Sequence, residues 1–295
     1  MNGEIDAILR KWRNDDWTDT EALDRARFVS SLPIIAIGGC ARSGTTLLRV
    51  MLDTHSLISI GPPSNVFVPT PIAFDEIAFR YDIPVDALRE LDAGAADRAE
   101  FIDRFAQRCL AQTGKIRWGE KTARNLLRFD WIHEHFPRGV TINVIRDGRD
   151  VVCSLRTHRK RRVVNGELQP TGNVLPLESC VDRWLLSMEI ARHYRGVPGY
   201  YEVYYEDLVL RSEVTLHQIT EFLAVPYEES MLQFHTVETP YRDPLRFPQN
   251  VEATRPLSAA SIGRWRRDLS DSEQQYVTGR LYPTLKALGY GVGQL

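Results

Sequence analysis

Pro33-Ile34-Ile35-Ala36-Ile37-Gly38-Gly39-Cys40-Ala41-Arg42-Ser43-Gly44-Thr45-Thr46-Leu47-Leu48 decides the architecture of this chain. The run from Ile34 to Gly38 is apolar or small throughout, too short for a surface helix and suited to a buried strand. Past Gly44 the apolar residues Leu47, Leu48, Met51 and Leu52 take up helical spacing. A strand that passes through glycines into a helix N-terminus gathers unpaired N–H groups and a positive dipole end at one point, which makes an anion site. The triphosphate-binding loop G-x-x-x-x-G-K-[ST] finds its glycines at Gly39 and Gly44 and its hydroxyl at Thr46. Thr45 stands in place of its lysine, and Arg42 lies inside the loop instead.

Outward from this stretch, strands alternate with helices. Residues 4–28 are helical by pattern, with Thr18 to Glu21 a capping box, and form an N-terminal extension over about residues 1–30. After the first strand a helix runs to about His55, and Leu57–Ile60 is a short second strand closed by Gly61-Pro62-Pro63. Residues 66–110 are mostly helical, punctuated by Pro69, Pro71 and Pro84. Ile116–Gly119 reads as a strand leading into Glu120-Lys121, and Leu126, Leu127 and Trp131 mark a helix that stops near Pro137. Val140–Ile145 is a further strand, feeding a helix over Val151–Leu155. Residues 156–178 read as a loop, Val181–Tyr194 as a helix, Tyr200–Tyr205 as a strand and 211–235 as helical. The tail from Tyr241 is loop-like until a helix begins near Ser270. Such alternation specifies an α/β fold, a parallel β-sheet flanked by helices on both faces. Ligands of such sheets bind beyond the carboxyl ends of the strands, so 38–46, 119–121 and 145–147 should face one crevice.

The second informative stretch is Ile145-Arg146-Asp147-Gly148-Arg149-Asp150-Val151-Val152-Cys153-Ser154. Arg146 ends a buried strand, where a guanidinium needs a partner; Asp147 and Asp150 are possible ones, and a bound anion is another. Two anion sites on neighbouring strand ends suit a nucleotide with phosphates on different sugar carbons, whereas a linear triphosphate extends along one loop.

The two motifs together resemble those of sulfotransferases that use 3′-phosphoadenosine 5′-phosphosulfate (PAPS), in particular bacterial members and the tyrosylprotein and Golgi-type branch. The resemblance implies a P-loop-NTPase-like sulfotransferase fold, in one domain over residues 1–295, with PAPS as sulfuryl donor and adenosine 3′,5′-bisphosphate (PAP) as product. It assigns Arg42, within [KR]-S-G-T-T, to the sulfuryl group and its bridging oxygen, and Ser43, Gly44, Thr45 and Thr46 to the 5′-phosphate loop. Arg146 and Ser154, eight residues apart as in R-D-x-R-D-x-x-x-S, correspond to the 3′-phosphate pair. Tyr205, within Tyr204-Tyr205-Glu206-Asp207-Leu208, corresponds to the tyrosine beside the adenine. Gly263, Arg264 and Trp265 are similar to the G-[RK]-W segment that folds over the nucleotide, within a covering segment of about 240–295. Arg255-Pro256 resembles the Lys-Pro that meets the cofactor's 3′ side, and the ending Leu285-Lys286-Ala287-Leu288-Gly289-Tyr290 also matches. Lys121 resembles the active-site lysine of E-K-[ST]; as a residue alone it also reads as a surface lysine.

The catalytic assignments are thus Arg42 and Lys121 at the sulfuryl group and Glu120 as general base. Tyrosylprotein sulfotransferases carry a glutamate in G-E-E-T-R after the second strand, and here Gly61-Pro62-Pro63-Ser64-Asn65 has no carboxylate. Asp75, Glu76 and His158 are the other candidates. The departure speaks for a carbohydrate, glycolipid or small-molecule hydroxyl acceptor over a protein tyrosine. No metal is expected, since no ligand cluster is visible in the sequence.

Of 295 residues, 43% are hydrophobic and 26% charged, as in an ordinary soluble domain. A net charge of −2 argues against a nucleic-acid polymer as partner, so any anion site must be local. The four cysteines are scattered, without a C-x-x-C pair, which fits reduced thiols in the cytoplasm. Neither a signal peptide nor a run of about 18 apolar residues that would span a membrane appears in the sequence. The basic run Arg159-Lys160-Arg161-Arg162 either borders an anionic acceptor or is a solvated loop. Two other readings compete: a P-loop kinase-like phosphotransferase, which the missing lysine disfavours, and a catalytically silent nucleotide-binding protein. Nothing in the pattern speaks to oligomeric state.

Overall fold

Alternation along the first strand sends Ile35 and Ile37 to one face of a sheet and Ile34 and Ala36 to the other, and all four are buried. A strand with apolar residues on both faces belongs in the middle of a parallel sheet covered by helices on both sides. That is its position in the computed structural model, which describes residues 25–157, 175–241 and 255–291, with the backbone alone of 160–164 and 167–171. The capping box at Thr18 and most of the helical stretch expected over 4–28 lie outside the described residues, and the described part of it, residues 25–28, is not helical.

The chain runs β1 (Ile35–Gly39), α1 (Thr45–Asp53), β2 (Ile58–Ile60), α2 (Phe74–Tyr81), α3 (Val85–Ala93), α4 (Arg98–Thr113) and β3 (Arg117–Lys121). A 3-10 turn over Ala123–Arg128 leads into α5 (Phe129–His135), then β4 (Val140–Ile145) and α6 (Gly148–Thr157). Next come β5 (Lys160–Val164), β6 (Glu167–Thr171), α7 (Leu177–Tyr194), β7 (Tyr200–Tyr204), α8 (Tyr205–Leu210) and α9 (Ser212–Phe222). The tail carries α10 (Trp265–Asp268) and α11 (Asp271–Ala287). Five strands form one parallel sheet in the order β2-β3-β1-β4-β7. The register sets Ile37 beside Lys121, Gly39 beside Val144 and Ile145 beside Tyr204, so the strands end together along one edge.

One face of the sheet packs Ala36 and Trp118 against Phe67, Phe101, Phe105 and Phe129. The other packs Ile35, Ile37, Ile142, Val144 and Val203 against Leu48, Met51 and Leu52 of α1 and Leu216 and Ile219 of α9. A side chain of that size contributes about 1.5–3 kcal/mol when fully buried. The buried polar residues of β4 are matched locally: Asn143 donates to the Tyr200 hydroxyl at 3.1 Å, and Thr141 bonds His133 Nε2 at 3.0 Å. All four cysteines are buried and free.

Several expectations shift. Residues 156–178 are not a plain loop, because β5 and β6 pair as an antiparallel hairpin. The sequence places Asn165-Gly166 between the two strands, the strongest short signal for a hairpin turn. The strand expected to end at Gly119 runs on to Lys121, so Glu120 and Lys121 are themselves strand residues. The helical stretch 211–235 stops at Phe222, with only a short 3-10 turn at Glu229–Met231. The last helix does begin where its signals are, with Ser270 and Glu273 forming a complete capping box.

Candidate active site

Gly44 is the N-cap of α1, with φ 98°, and a Cβ there would lie 2.3 Å from Tyr205 Cδ2. Only glycine permits both the left-handed turn and the close approach of the Tyr205 ring. The first turn of α1 has no side-chain cap and no acidic residue, so its N–H groups and dipole are left for another anion. Ser43 is wholly buried, and its hydroxyl has no partner among the described residues. These features fit a phosphate-like group at the loop.

Beside the loop opens a cleft of about 810 Å³, whose walls carry Arg42, Arg146, Arg255, Arg264 and Arg267. Thr45, Thr46, Ser154 and Tyr205 line it too, with Leu47, Val209, Phe234 and Leu257 supplying an apolar wall. Asp268 pairs with Arg264 at 2.7 Å and bonds Arg267 at 2.9 Å. No carboxylate among the described residues pairs with Arg42. Burial and the neighbouring guanidiniums of Arg146 and Arg264 depress its pKa, which is the electrostatic signature of a place built for an anion.

The structure brings the two motifs together more tightly than their spacing shows. Arg42 Nε donates to Ser154 Oγ at 3.0 Å, and Arg146 Nη1 donates to the Arg42 carbonyl at 3.1 Å. Arg42, expected at the sulfuryl end of the loop, is therefore turned toward the second anion site. The physical reason is its left-handed backbone, φ 75°, which carries the side chain across to α6. The Arg146 guanidinium lies over the Tyr205 ring, 4.5 Å from its centre, and the Tyr205 hydroxyl bonds Ser261 Oγ at 2.7 Å. Glu206 fastens the same corner, accepting from Asp147 N at 3.0 Å and from the Tyr290 hydroxyl at 2.8 Å.

Lys121 is 5% exposed, and its Nζ donates to Thr46 Oγ1 at 3.2 Å, which sets a cation beside the loop's second threonine. Burial and the nearby Arg49 push it down to about 7, against the opposing pull of Glu120. It is no surface lysine.

Glu120 requires a correction. Alternation points it away from Lys121, into the opposite face, where it is fully buried. Its Oε1 accepts from Ser64 N at 2.9 Å, Ser64 Oγ at 3.0 Å and Thr122 Oγ1 at 2.8 Å, while Oε2 accepts from Asn125 Nδ2 at 2.5 Å. A sealed carboxylate held by four donors cannot take a proton from an acceptor in the cleft; it positions the Pro62–Asn65 loop against β3. The fallback bases fare no better. Asp75 and Glu76 sit at the start of α2, the first with an 89% exposed side chain, the second paired with Arg80. His158 lies outside the described residues.

In the tail, Arg255 and Arg264 reach the cleft, but Trp265 does not line it. Its ring is buried in the cluster of Val151, Trp184 and Leu281, with the Arg149 guanidinium 4.3 Å above it. It anchors the tail in this cluster. Gly263 is likewise set back, its N–H turned to Asp150 at 2.8 Å. Ser261 opens the tail motif but carried no assigned role, and sequence reasoning missed Asp268 and the apolar wall of the cleft. Neither Asp268 nor the wall residues belong to a compact motif, since they converge only through the fold.

Comparison with known proteins gives the same reading. The sulfotransferase family profile matches residues 33–229. A Drosophila melanogaster protein-tyrosine sulfotransferase is 26% identical over 277 residues, covering 88% of this chain and 52% of that protein. Human protein-tyrosine sulfotransferase 1 is 29% identical over 224 residues, covering 72% and 57%. The chain thus spans about half the length of the curated relatives it matches. The fold is shared with the sulfotransferase domain of the Synechococcus PCC 7002 olefin synthase, at TM-score 0.63, 20% identity and coverage of 91% and 98%. It is also shared with mouse sulfotransferase SULT7A1 complexed with PAP, at TM-score 0.54, 12% identity and coverage of 92% and 90%. With the profile spanning well over half its length, this chain belongs to the sulfotransferase family.

Proposed function

We propose that the protein transfers a sulfuryl group from PAPS to a hydroxyl acceptor. The observation that carries this reading is the pair of linked anion sites, the uncapped N-terminus of α1 and the Arg146–Ser154 pair, joined by Arg42 across one cleft. In this reading the loop N–H groups with Thr45 and Thr46 hold the 5′-phosphosulfate, and Arg42, Arg146, Ser154, Arg255 and Arg264 hold the 3′-phosphate. The Tyr205 ring and the apolar wall take the adenine. PAPS supplies an activated sulfuryl group and a stable bisphosphate leaving group. Lys121 and the α1 dipole set positive charge where negative charge builds during transfer, and a group of that kind is typically worth on the order of 2.7–4 kcal/mol.

The acceptor is a carbohydrate, glycolipid or small-molecule hydroxyl. Support comes from the Pro62–Asn65 loop, which offers no carboxylate where the tyrosine-sulfating branch has one. Its backbone is also committed: the Tyr81 hydroxyl donates to Pro62 O at 2.6 Å, Arg80 to Pro63 O, and Ser64 to Glu120. Turnover with PAPS across a panel of sugars, glycolipids, small hydroxyl compounds and a tyrosine peptide tests the reading. Sulfation of a non-peptide hydroxyl with a clear kcat/KM advantage is the expected outcome, and sulfation of the tyrosine peptide alone would overturn the acceptor assignment.

A further inference from the structure

Ser261 and Arg264 of the tail line the cleft, and one buried carboxylate holds the segment that carries them, here called the strap. Asp150, on the first turn of α6, is fully buried and uses both oxygens on this strap. Oδ2 accepts from Gly263 N at 2.8 Å and Oδ1 from Trp265 N at 3.0 Å. The left-handed Gly263, φ 71°, lets two N–H groups two residues apart converge on a single anion. The Arg146 guanidinium stands 3.9 Å from the same Oδ2 and donates to the Ser261 carbonyl. Strap and guanidinium are therefore oriented through one side chain.

We propose that Asp150 is a positioning residue of the nucleotide site: by clasping the strap it fixes the cleft wall that carries Ser261 and Arg264, and it aims Arg146 at the same time. Burying a carboxylate is costly, and such a group is retained where its geometry sets a neighbouring structure. Here the two strap N–H bonds and Arg146 are what it compensates with. The proposal rests on the PAPS reading for the identity of the ligand. The clasp itself has a readout that needs no ligand.

Asp150→Asn keeps the shape but offers one acceptor where two N–H groups need one each. Backbone amide exchange at Gly263 and Trp265, measured without nucleotide, should speed up at least about tenfold in the variant while the melting temperature of the core is retained. PAP should bind about tenfold more weakly, and KM for PAPS should rise with kcat within a few-fold of wild type. Should Asp150→Asn fail to fold, Gly263→Ala strains the strap from its outer side and should show the same split. Unchanged amide exchange together with unchanged PAP affinity would overturn the proposal, as would a fall in kcat at constant KM. Wild type that protects both amides but ignores PAP would sink the nucleotide reading and leave the clasp standing.

Discussion

Lys121 is buried at the end of β3 with Arg49, Arg80 and Arg42 near it, and its charge is sensitive to pH near neutrality. With a pKa near 7 in the folded protein, it is charged below that pH and neutral above it. If the cation is what serves the sulfuryl group, kcat/KM for PAPS falls as pH rises through about 7, and Lys121→Arg moves that limb to far higher pH. A rate that rises through the same pH would assign Lys121 the task of a base instead. Stability has its own sign. The unfolded lysine titrates near its ordinary 10.5, so between about 7 and 10.5 the unfolded chain binds the extra proton and stability rises with pH. Lys121→Met should therefore exceed wild type in denaturant resistance most clearly below pH 7, with the gap closing toward pH 10. Glu120 yields a different expectation. Glu120→Gln puts an amide among four donors and should lower stability by about 1–3 kcal/mol. Its kcat should fall much less than the roughly hundredfold loss of a general base. A hundredfold fall at normal stability would return the base to Glu120.

At the scale of elements, the strand-to-helix turn after β1 carries the site. Gly44→Ala would place a Cβ 2.3 Å from the Tyr205 ring at a backbone φ of 98°, where left-handed backbone alone costs roughly 1–2 kcal/mol. The variant should melt several degrees lower and bind PAP at least about tenfold more weakly, as calorimetry would show. Variant affinity equal to wild type would mean that the turn does not hold the ligand. The same elements show what sequence can carry. β4 has the limits expected for it, Val140–Ile145, because a mostly apolar, β-branched run between Gly139 and Arg146 is a strong strand signal. The β1 turn was legible because glycines and threonines at fixed spacing have few other uses. Glu120 was not, since a strand's two faces look alike until the helices that cover them are placed. The hairpin was obscured by its basic run, which reads as solvated loop until Asn165-Gly166 is weighed as a turn. Trp265 and Arg42 each stood in the right motif, but direction depends on tertiary packing: a buried pocket for the ring, a left-handed φ for the guanidinium.

Across the whole molecule, four of the five parallel strands deliver the site. The turn after β1 supplies the loop, β3 ends in Lys121, β4 leads into Arg146, and β7 runs directly into Tyr205. The tail closes the arrangement through Asp150 and Glu206. On the proposed reading, cations at separate strand ends suit a ligand whose phosphates are themselves separate, a 3′,5′-bisphosphate over a linear triphosphate. Calorimetric titration of the protein with PAP, in chelator, against ATP with magnesium tests that distinction most directly. PAP should bind without a divalent ion and raise the melting temperature, ATP should bind far more weakly, and Arg146→Ala should loosen PAP about tenfold or more. Equal binding of ATP, a strict need for magnesium, or an Arg146→Ala variant that binds PAP like wild type would contradict a two-site PAPS cleft.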